Sequence, residues 1–306
     1  MDPLPQYAPR ALACTVRGCG GPLGAADAPG PWSTLRCPRG HSFDRAREGY
    51  VNLLQPQDRR SLDAGDSAEA VAARARLLEA GAGLALFEAL CEVVRGLGLG
   101  PTDTLVELGS GTGTLLTRLA AATGAACYGL DLSVAAARHA ARVPAQPASG
   151  RCTWVVANAD RRLPFADGAV QLVLSVHGRR NPTEVRRILA PGGRWLVAVP
   201  GDDDLAELRA AAQGSAAARA RLAELRAEAR AAGLEPLAEG SSRATVALDR
   251  ALLADVCAGT YRGLRAAEAA RVAALDGLAV TFHSEWLVAT PVAFQEPGTA
   301  AARTPR

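Results

Sequence analysis

The chain contains no lysine: its 34 Lys+Arg residues are all arginine. A GC-rich coding sequence explains the choice, in keeping with the many Ala, Gly and Pro residues. The consequence is still physical, because a guanidinium favours bidentate phosphate contacts and stacking on bases. No apolar run approaches the roughly 20 residues that span a bilayer, so no membrane helix is expected. The start, "MDPLPQYAPR", lacks the basic residues and apolar stretch of a secretory signal, and a cytoplasmic location is the expectation. Strong charge is missing too. A net charge of +3 and a pI of about 8.6 do not by themselves indicate nucleic acid. The seven cysteines are an odd number without an export signal, which argues against a disulfide framework. Cys91, Cys127, Cys152 and Cys257 are scattered through helix- or strand-like segments and read as small buried apolar residues.

What the chain does have is length and apolar content. With 306 residues, 49% of them hydrophobic, it can build one large domain or a domain with a small appendage. Residues 1–50 are rich in Gly, Pro and Cys and show little apolar periodicity. So small a segment buries little core and needs a staple. Residues 51–66 read as a linker anchored by Val51 to Leu54. Two helices follow, "SAEAVAARARLLEAG" and "LALFEALCEVVRGLG". From Pro101 strands and helices alternate: "TLVELGSGTGTLLTRLAAATG", "ACYGLDLSVAAARHAARV", "CTWVVANAD", "VQLVLSVHG", then a helix "NPTEVRRILAPGG" closed by Pro-Gly-Gly and the strand "RWLVAVP". That alternation implies an α/β fold with a doubly wound, largely parallel sheet. Residues 205–232 read as helical, and "SSRATVALD" and "LAVTFHSEWLVATPV" as late antiparallel strands at the sheet edge.

The staple is visible in the first fifty residues. Cys14 and Cys19 form a C-x4-C pair, and Cys37 and His41 a C-x3-H pair. Three thiolates and an imidazole suit tetrahedral Zn2+, and four protein ligands leave no open catalytic position. Gly18, Gly20 and Gly40 give the knuckles a permissive backbone.

"VELGSGTG" joins a strand to a helix. Its glycines, Gly109, Gly111 and Gly113, are spaced G-x-G-x-G behind the acidic Glu107, and Asp131 ends the next strand. Such glycines let a ligand approach the backbone, and a carboxylate at the second strand end can hold ribose hydroxyls. A nicotinamide site favours G-x-G-x-x-G. The spacing here is that of S-adenosylmethionine (SAM) methyltransferases, whose later motifs "NADRRLPFADGAVQLVLSVH" resembles, with Asn158 near the adenine edge.

Taken together, the C…C…C-x3-H module, "HSFDRAREGYVNLL", "GDSAEAVAARARLLEAG" and the SAM motifs closely resemble the RlmA-type 23S rRNA (guanine-N1)-methyltransferases, to about residue 290. "NPTEVRRILAPGG" and "DLAELR" resemble the macrolide-resistance branch (tylosin, mycinamicin). The resemblance implies a Rossmann-like SAM methyltransferase domain with a small N-terminal zinc-binding module. It implies zinc on Cys14, Cys19, Cys37 and His41, and SAM contacts at Gly111 and Thr112. The implied reaction is methylation of a guanine N1 in a domain II hairpin of 23S rRNA, with resistance to 16-membered macrolides. The chain departs from the family in three places. Its first knuckle is two residues longer than the usual C-x2-C. Gly83 stands where a cofactor-touching tyrosine usually follows "EAGH", and Asp204 where a histidine is usual. "VCAGTYRG" replaces a Met-Pro or Met-Gly-Pro turn. The implied organisation is a zinc-binding RNA-recognition module (1–50), a helical linker (51–100), the methyltransferase domain (101–292) and a disordered tail (293–306).

The chemistry needs a proton acceptor, because guanine N1 is a weak nucleophile until its proton leaves. Asp204 is placed to be that base, a guanine-edge acceptor, or a solvated acid in "GDDD". The resemblance also puts Asp204 among the SAM contacts, with Gly83, since they match the family's histidine and tyrosine. His177 reads as base, RNA contact or structural residue. Arg179 and Arg180, with Arg39 and Arg45 on the module, are expected RNA contacts or a solvated face, and Trp32 or Tyr50 can stack. Asn181 and Pro182 are expected to shape the target pocket. A homodimer is one allowed assembly. Two other readings remain open: a small-molecule methyltransferase of an antibiotic pathway, and a non-catalytic rRNA-binding protein.

Overall fold

A computed structural model describes residues 11–26, 33–58, 65–142, 152–214, 221–259 and 266–292. Trp32 and the expected tail lie outside these residues. Three short strands come first: β1 (Gly24–Ala25), β2 (Thr34–Arg36) and β3 (Ser42–Asp44). Next are β4 (Tyr50–Asn52), α1 (Ala68–Glu79) and α2 (Leu84–Gly96). Ser67 caps α1, its Oγ accepting from Ala70 N at 3.1 Å, as an N-cap serine should. The alternating part runs β5 (Thr104–Leu108), α3 (Thr114–Thr123), β6 (Ala126–Asp131), α4 (Val134–Arg142), β7 (Cys152–Val156), β8 (Val170–Val176), α5 (Pro182–Ile188) and β9 (Leu189–Pro200). It is followed by α6 (Ala206–Gln213), α7 (Arg221–Ala231), β10 (Leu234–Asp249), α8 (Arg250–Gly259), α9 (Ala266–Ala273) and β11 (Gly277–Pro291).

The large sheet has the order β10-β11-β9-β8-β5-β6-β7-β4. Pairs from β9 through β4 are parallel, and β11 pairs antiparallel with both β9 and β10. Its central strands carry near-continuous apolar runs, because both faces are covered. Val106, Leu130, Val155 and Val173 face one core and Leu105, Cys127, Val156 and Leu172 the other. Chain order reverses at β5, which has β6 on one side and β8 on the other. Ligands of such sheets bind in the crevice beyond the strand C-termini at that reversal.

Several expected boundaries move. Val51 and Asn52 are not linker: with Tyr50 they form β4 at the edge of the large sheet, pairing Tyr50 with Trp154 and Asn52 with Val156, 104 positions further on. Pro191, Gly192 and Gly193 do not close a helix. α5 ends at Ile188, and these residues enter β9 through a register shift against β8. The expected 205–232 helix is two, α6 ending on left-handed Gly214 and α7 starting at Arg221. β10 begins at Leu234, seven residues before the expected strand. The N-terminal module is also no detached appendage. Leu12, Leu23, Leu35 and Phe43 share one core with Val106, Leu130 and Val155. Leu12 bridges Phe165, whose ring meets Tyr128 edge-on at 5.5 Å. Each such buried side chain contributes about 1.5–3 kcal/mol, enough to hold the module against the sheet.

Candidate active site and metal centre

The donor atoms of Cys14, Cys19, Cys37 and His41 all lie within 4.8 Å of one another. Cys19 and Cys37 Sγ are 3.7 Å apart, and His41 Nδ1 is 3.5 Å from Cys14 Sγ and 3.4 Å from Cys37 Sγ. A tetrahedron with Zn–S near 2.3 Å has edges of about 3.5–3.8 Å, so the cage already has the dimensions of a zinc ion. Its charge balance also asks for a cation. Burial and the neighbouring thiols push Cys14 up to about 12. Burial acts likewise on Cys37, but hydrogen bonds from the His41 and Arg39 backbone outweigh it and bring that thiol down to about 6. Without a counter-charge, Cys37 ionises far more readily than Cys14. A divalent cation lets all three ionise. The longer first knuckle closes because Gly18 and Gly20 take φ of 72° and 64°, bringing Cys19 N to Val16 O at 2.9 Å and Cys14 N to Gly21 O at 2.8 Å.

The second site is a cavity of about 880 Å3 beyond the C-termini of β5, β6, β8 and β9. The glycine loop forms its floor. Gly109 and Ser110 donate to Leu130 O, and Gly111 donates to Asp131 Oδ2 at 2.9 Å, so the loop is tied to the end of β6. Gly109 (φ 77°) and Gly111 (φ 52°) keep the floor bare. Glu107 is buried at the cavity wall, with Oε2 lacking any partner. Burial, then the Asp131 charge, pushes its carboxyl up to about 8 against the Leu116 N–H that favours ionisation. An orphaned buried carboxyl facing an open cavity fits a ligand that brings a positive charge or a donor, and SAM brings both. Glu107, Gly109, Gly111, Thr112, Asp131, Asn158, Gly83 and Asp204 all line the cavity.

Some expected contacts are differently employed. Gly113 does not line the cavity. A Cβ there would lie 2.5 Å from the Trp154 ring and 2.8 Å from Ala140, so this glycine serves the packing of α3 on the sheet. Asn158 lines the cavity, but both ends of its amide already hold the chain: Nδ2 donates to Asp58 O and Oδ1 accepts from Asp160 N. Asp131 accepts from Gly111 N and Ser133 N, and burial raises its pKa despite those bonds. With a further backbone bond from Leu132, the carboxylate still has acceptor capacity left for a ribose hydroxyl. Gly83 sits in the left-handed region at the start of α2 and offers no side chain.

His177 and Asp204 also line the cavity, with Gly178 of the His177 turn packed beside Gly109. His177 adopts φ 51°, a strained value for a side-chain-bearing residue, and its Nε2 is 2.9 Å from Ser284 Oγ. It is exposed to the open cavity, and the protein groups crowded around it, with the Arg221 charge, lower its pKa. Asp204 is half-buried. Its Oδ1 accepts from His283 N at 2.9 Å, and burial pushes its pKa up to about 6. Backbone bonds from Gly201 N to His283 O and from Leu205 N to Thr281 O stitch this turn to β11, with Leu205 itself at φ 53°. Strained residues held this firmly cluster at functional sites.

Of the expected RNA contacts, Arg179 lines the cavity mouth and lies 3.4 Å from Asp160. Arg180 turns away to Glu228 at 3.0 Å. Arg39 is exposed and bridges the two knuckles by donating to Gly18 O. Arg45 is half-buried and donates to Gly49 O, which makes it part of a turn. Asn181 caps its neighbourhood by donating to Ala159 O and Arg161 O, away from the cavity wall. No described residue before Gly65 lines the cavity. The sequence reading missed Arg74 and Asp66 near the glycine loop, and Ser242, Phe282 and Ser284 elsewhere on the wall. Phe282 and Ser284 sit two apart in "LAVTFHSEW", a spacing that puts both on one face of a strand.

Residues 105–193 match the family described as a methyltransferase domain, and residues 21–62 the one described as the RlmA N-terminal domain, a zinc ribbon. The latter match covers Cys37 and His41 and begins after Cys14 and Cys19. A putative 23S rRNA (guanine-N(1)-)-methyltransferase of Micromonospora griseorubida is 42% identical over 212 residues, 64% of this chain and 68% of that protein. The chain belongs to the 23S rRNA (guanine-N1)-methyltransferase family. A 23S rRNA (guanine(748)-N(1))-methyltransferase of Streptomyces fradiae is 44% identical over 192 residues, 62% of this chain. A putative 23S rRNA (guanine-N(1)-)-methyltransferase of Bacillus subtilis (strain 168) is 33% identical over 189 residues, 60% of this chain. The chain spans 64% of the length of each of these two relatives, just under two thirds. The methyltransferase fold and the zinc-ribbon module expected from the sequence are therefore both present.

Proposed function

We propose that the protein transfers a methyl group from SAM to N1 of a guanine in a domain II hairpin of 23S rRNA, and so confers resistance to 16-membered macrolides. The observation that carries this is a single cavity lined by both a cofactor-type set and a proton acceptor. The glycine loop, Glu107 and Asp131 line it, and so do the stitched carboxylate Asp204, Phe282, Ser242 and Ser284. The family membership and the names of the relatives support the rRNA target.

SAM supplies an electrophilic methyl carbon on its sulfonium. The chain must supply a pocket for an unstacked base and a place for its proton. With a pKa near 6, Asp204 is ionised at neutral pH and close enough to it to be an effective acceptor. His177, with a pKa near 4, is a poorer base and serves to fix the wall through Ser284. Glu107, the glycine loop and Asp131 would hold SAM, which would supply the methyl group, and Asp204 would accept the proton that guanine N1 gives up. Phe282 offers an aromatic face for the base. The exposed Arg17, Arg36 and Arg39 on the zinc module would hold RNA phosphates outside the cavity. The site of action is the cytoplasm, where ribosomes are. Among the described residues no helix is long and apolar enough to cross a membrane. A homodimer would pair the long edge strand β10, and sedimentation would reveal it.

Primer extension on 23S rRNA from a sensitive host tests the assignment. An N1-methyl group blocks pairing, so a new reverse-transcriptase stop should appear in the domain II hairpin when the gene is expressed, together with macrolide tolerance. Absence of any new stop would reject the reading in favour of a small-molecule methyltransferase or a non-catalytic rRNA-binding protein.

A further inference from the structure

The cavity wall near the glycine loop is acidic. Asp66, Glu107 and Asp131 all line it. Most backbone donors that a glycine loop can offer an anion are engaged inside the protein: Gly109 and Ser110 donate to Leu130, Gly111 to Asp131 and Gly113 to Ser110. A purely cationic ligand suits such a wall. SAM, however, carries a carboxylate on its methionine portion as well as an ammonium and a sulfonium. Glu107 is largely protonated at neutral pH, but a carboxylate set beside Asp131 is still repelled unless a cation stands with it.

Arg74 of α1 stands there. Its Nη1 is 3.7 Å from the Cβ position of Gly111, directly over the loop. Its stem lies against α8, with Cγ 3.0 Å from the Cβ position of Gly259, and its guanidinium pairs with Asp66. Its charge also acts on Asp131. The other guanidinium among the described cavity-lining residues, Arg179, is paired with Asp160 at the mouth, where its side chain is 75% exposed. A guanidinium has five N–H donors in a planar fork, enough to keep Asp66 on one edge and take a second carboxylate on another.

We propose that Arg74 anchors the methionine carboxylate of SAM, making α1, a helix upstream of the glycine loop, part of the cofactor site. Asp66 holds the guanidinium in place as a positioning residue. The proposal rests on the SAM reading above and makes a separate demand on the ligand: its carboxylate must matter, and must matter through Arg74.

Calorimetry with SAM and with decarboxylated SAM, which lacks only that carboxylate, separates the two. The intact protein should bind SAM roughly ten- to a hundredfold more tightly than the decarboxylated form, the range expected for a charged hydrogen-bonded pair. Arg74→Met keeps the stem against Gly259, and should lower SAM affinity to the level of the decarboxylated ligand while leaving the latter unchanged. Arg74→Lys should recover part of the preference. Equal binding of both ligands by the intact protein would overturn the Arg74 assignment and leave the SAM reading standing. So would an equal loss of both in Arg74→Met with no recovery in Arg74→Lys. Failure of the intact protein to bind either ligand would reject both readings.

Discussion

Glu107 is the residue at which stability and ligand binding oppose each other. Its carboxyl titrates near 8 in the folded protein against about 4.5 in an unfolded chain. A raised folded pKa favours the folded state fully only below the unfolded value, and that contribution is lost as pH rises through the folded one. The cost therefore builds between pH 4.5 and 8. Glu107→Gln removes it, so the ligand-free variant should outlast the parent to heat at pH 8.5, by up to about 4 kcal/mol, and match it near pH 4. Saturating SAM should reverse that order at pH 8.5. Thermal melts at both pH values, with and without SAM, check the claim, and a parent that is the more stable at pH 8.5 without ligand would refute it. The acidic residue and the glycines were legible because their spacing is local. The employment of Asn158 was not, since its partner Asp58 lies 100 residues away and no local pattern encodes that bond. Gly113 was misplaced for a related reason: the glycine is in the motif, but its reason is the Trp154 ring on another strand.

At the scale of elements, the strongest local signals survived and the weakest did not. α1 follows its serine cap, and β5 and β6 follow their apolar runs. β4 is three residues long and has no periodicity to read, so only its pairing with β7 makes it a strand. The zinc knuckles lie between these extremes. Their ligand spacing was plain, but not that Leu12, beside Cys14, bridges Phe165. Metal loss should therefore reach beyond the module. Cys37→Ser is expected to lower zinc content below one ion per chain and to cost several kcal/mol, because structural zinc contributes folding energy outright and the module's apolar residues are shared with the main core. Metal analysis and melting of variant and parent decide it. A zinc-free variant that melts like the parent would show that the cage is not a staple.

At the scale of the molecule, the module has its own three-stranded sheet and shares a core with the large one, but the described module residues stay outside the cavity wall. On the proposed reading, RNA held by the module sends one base inward, which suits a target that is flipped out of its stack. The proposed proton transfer then depends on Asp204 being ionised, and burial sets that near pH 6. Below that value the carboxylate takes up a proton from solvent and cannot take one from guanine. Single-turnover methylation of 23S rRNA should fall about tenfold per pH unit below 6 and level off above it. Asp204→Asn should slow transfer by a factor of about 100 or more while SAM affinity, read by calorimetry, stays within about twofold. The Asp204 assignment requires both results together. A variant with parental rates and an unchanged pH profile would move the proton acceptor elsewhere. Equal losses in transfer and SAM affinity would make Asp204 part of the cofactor wall alone.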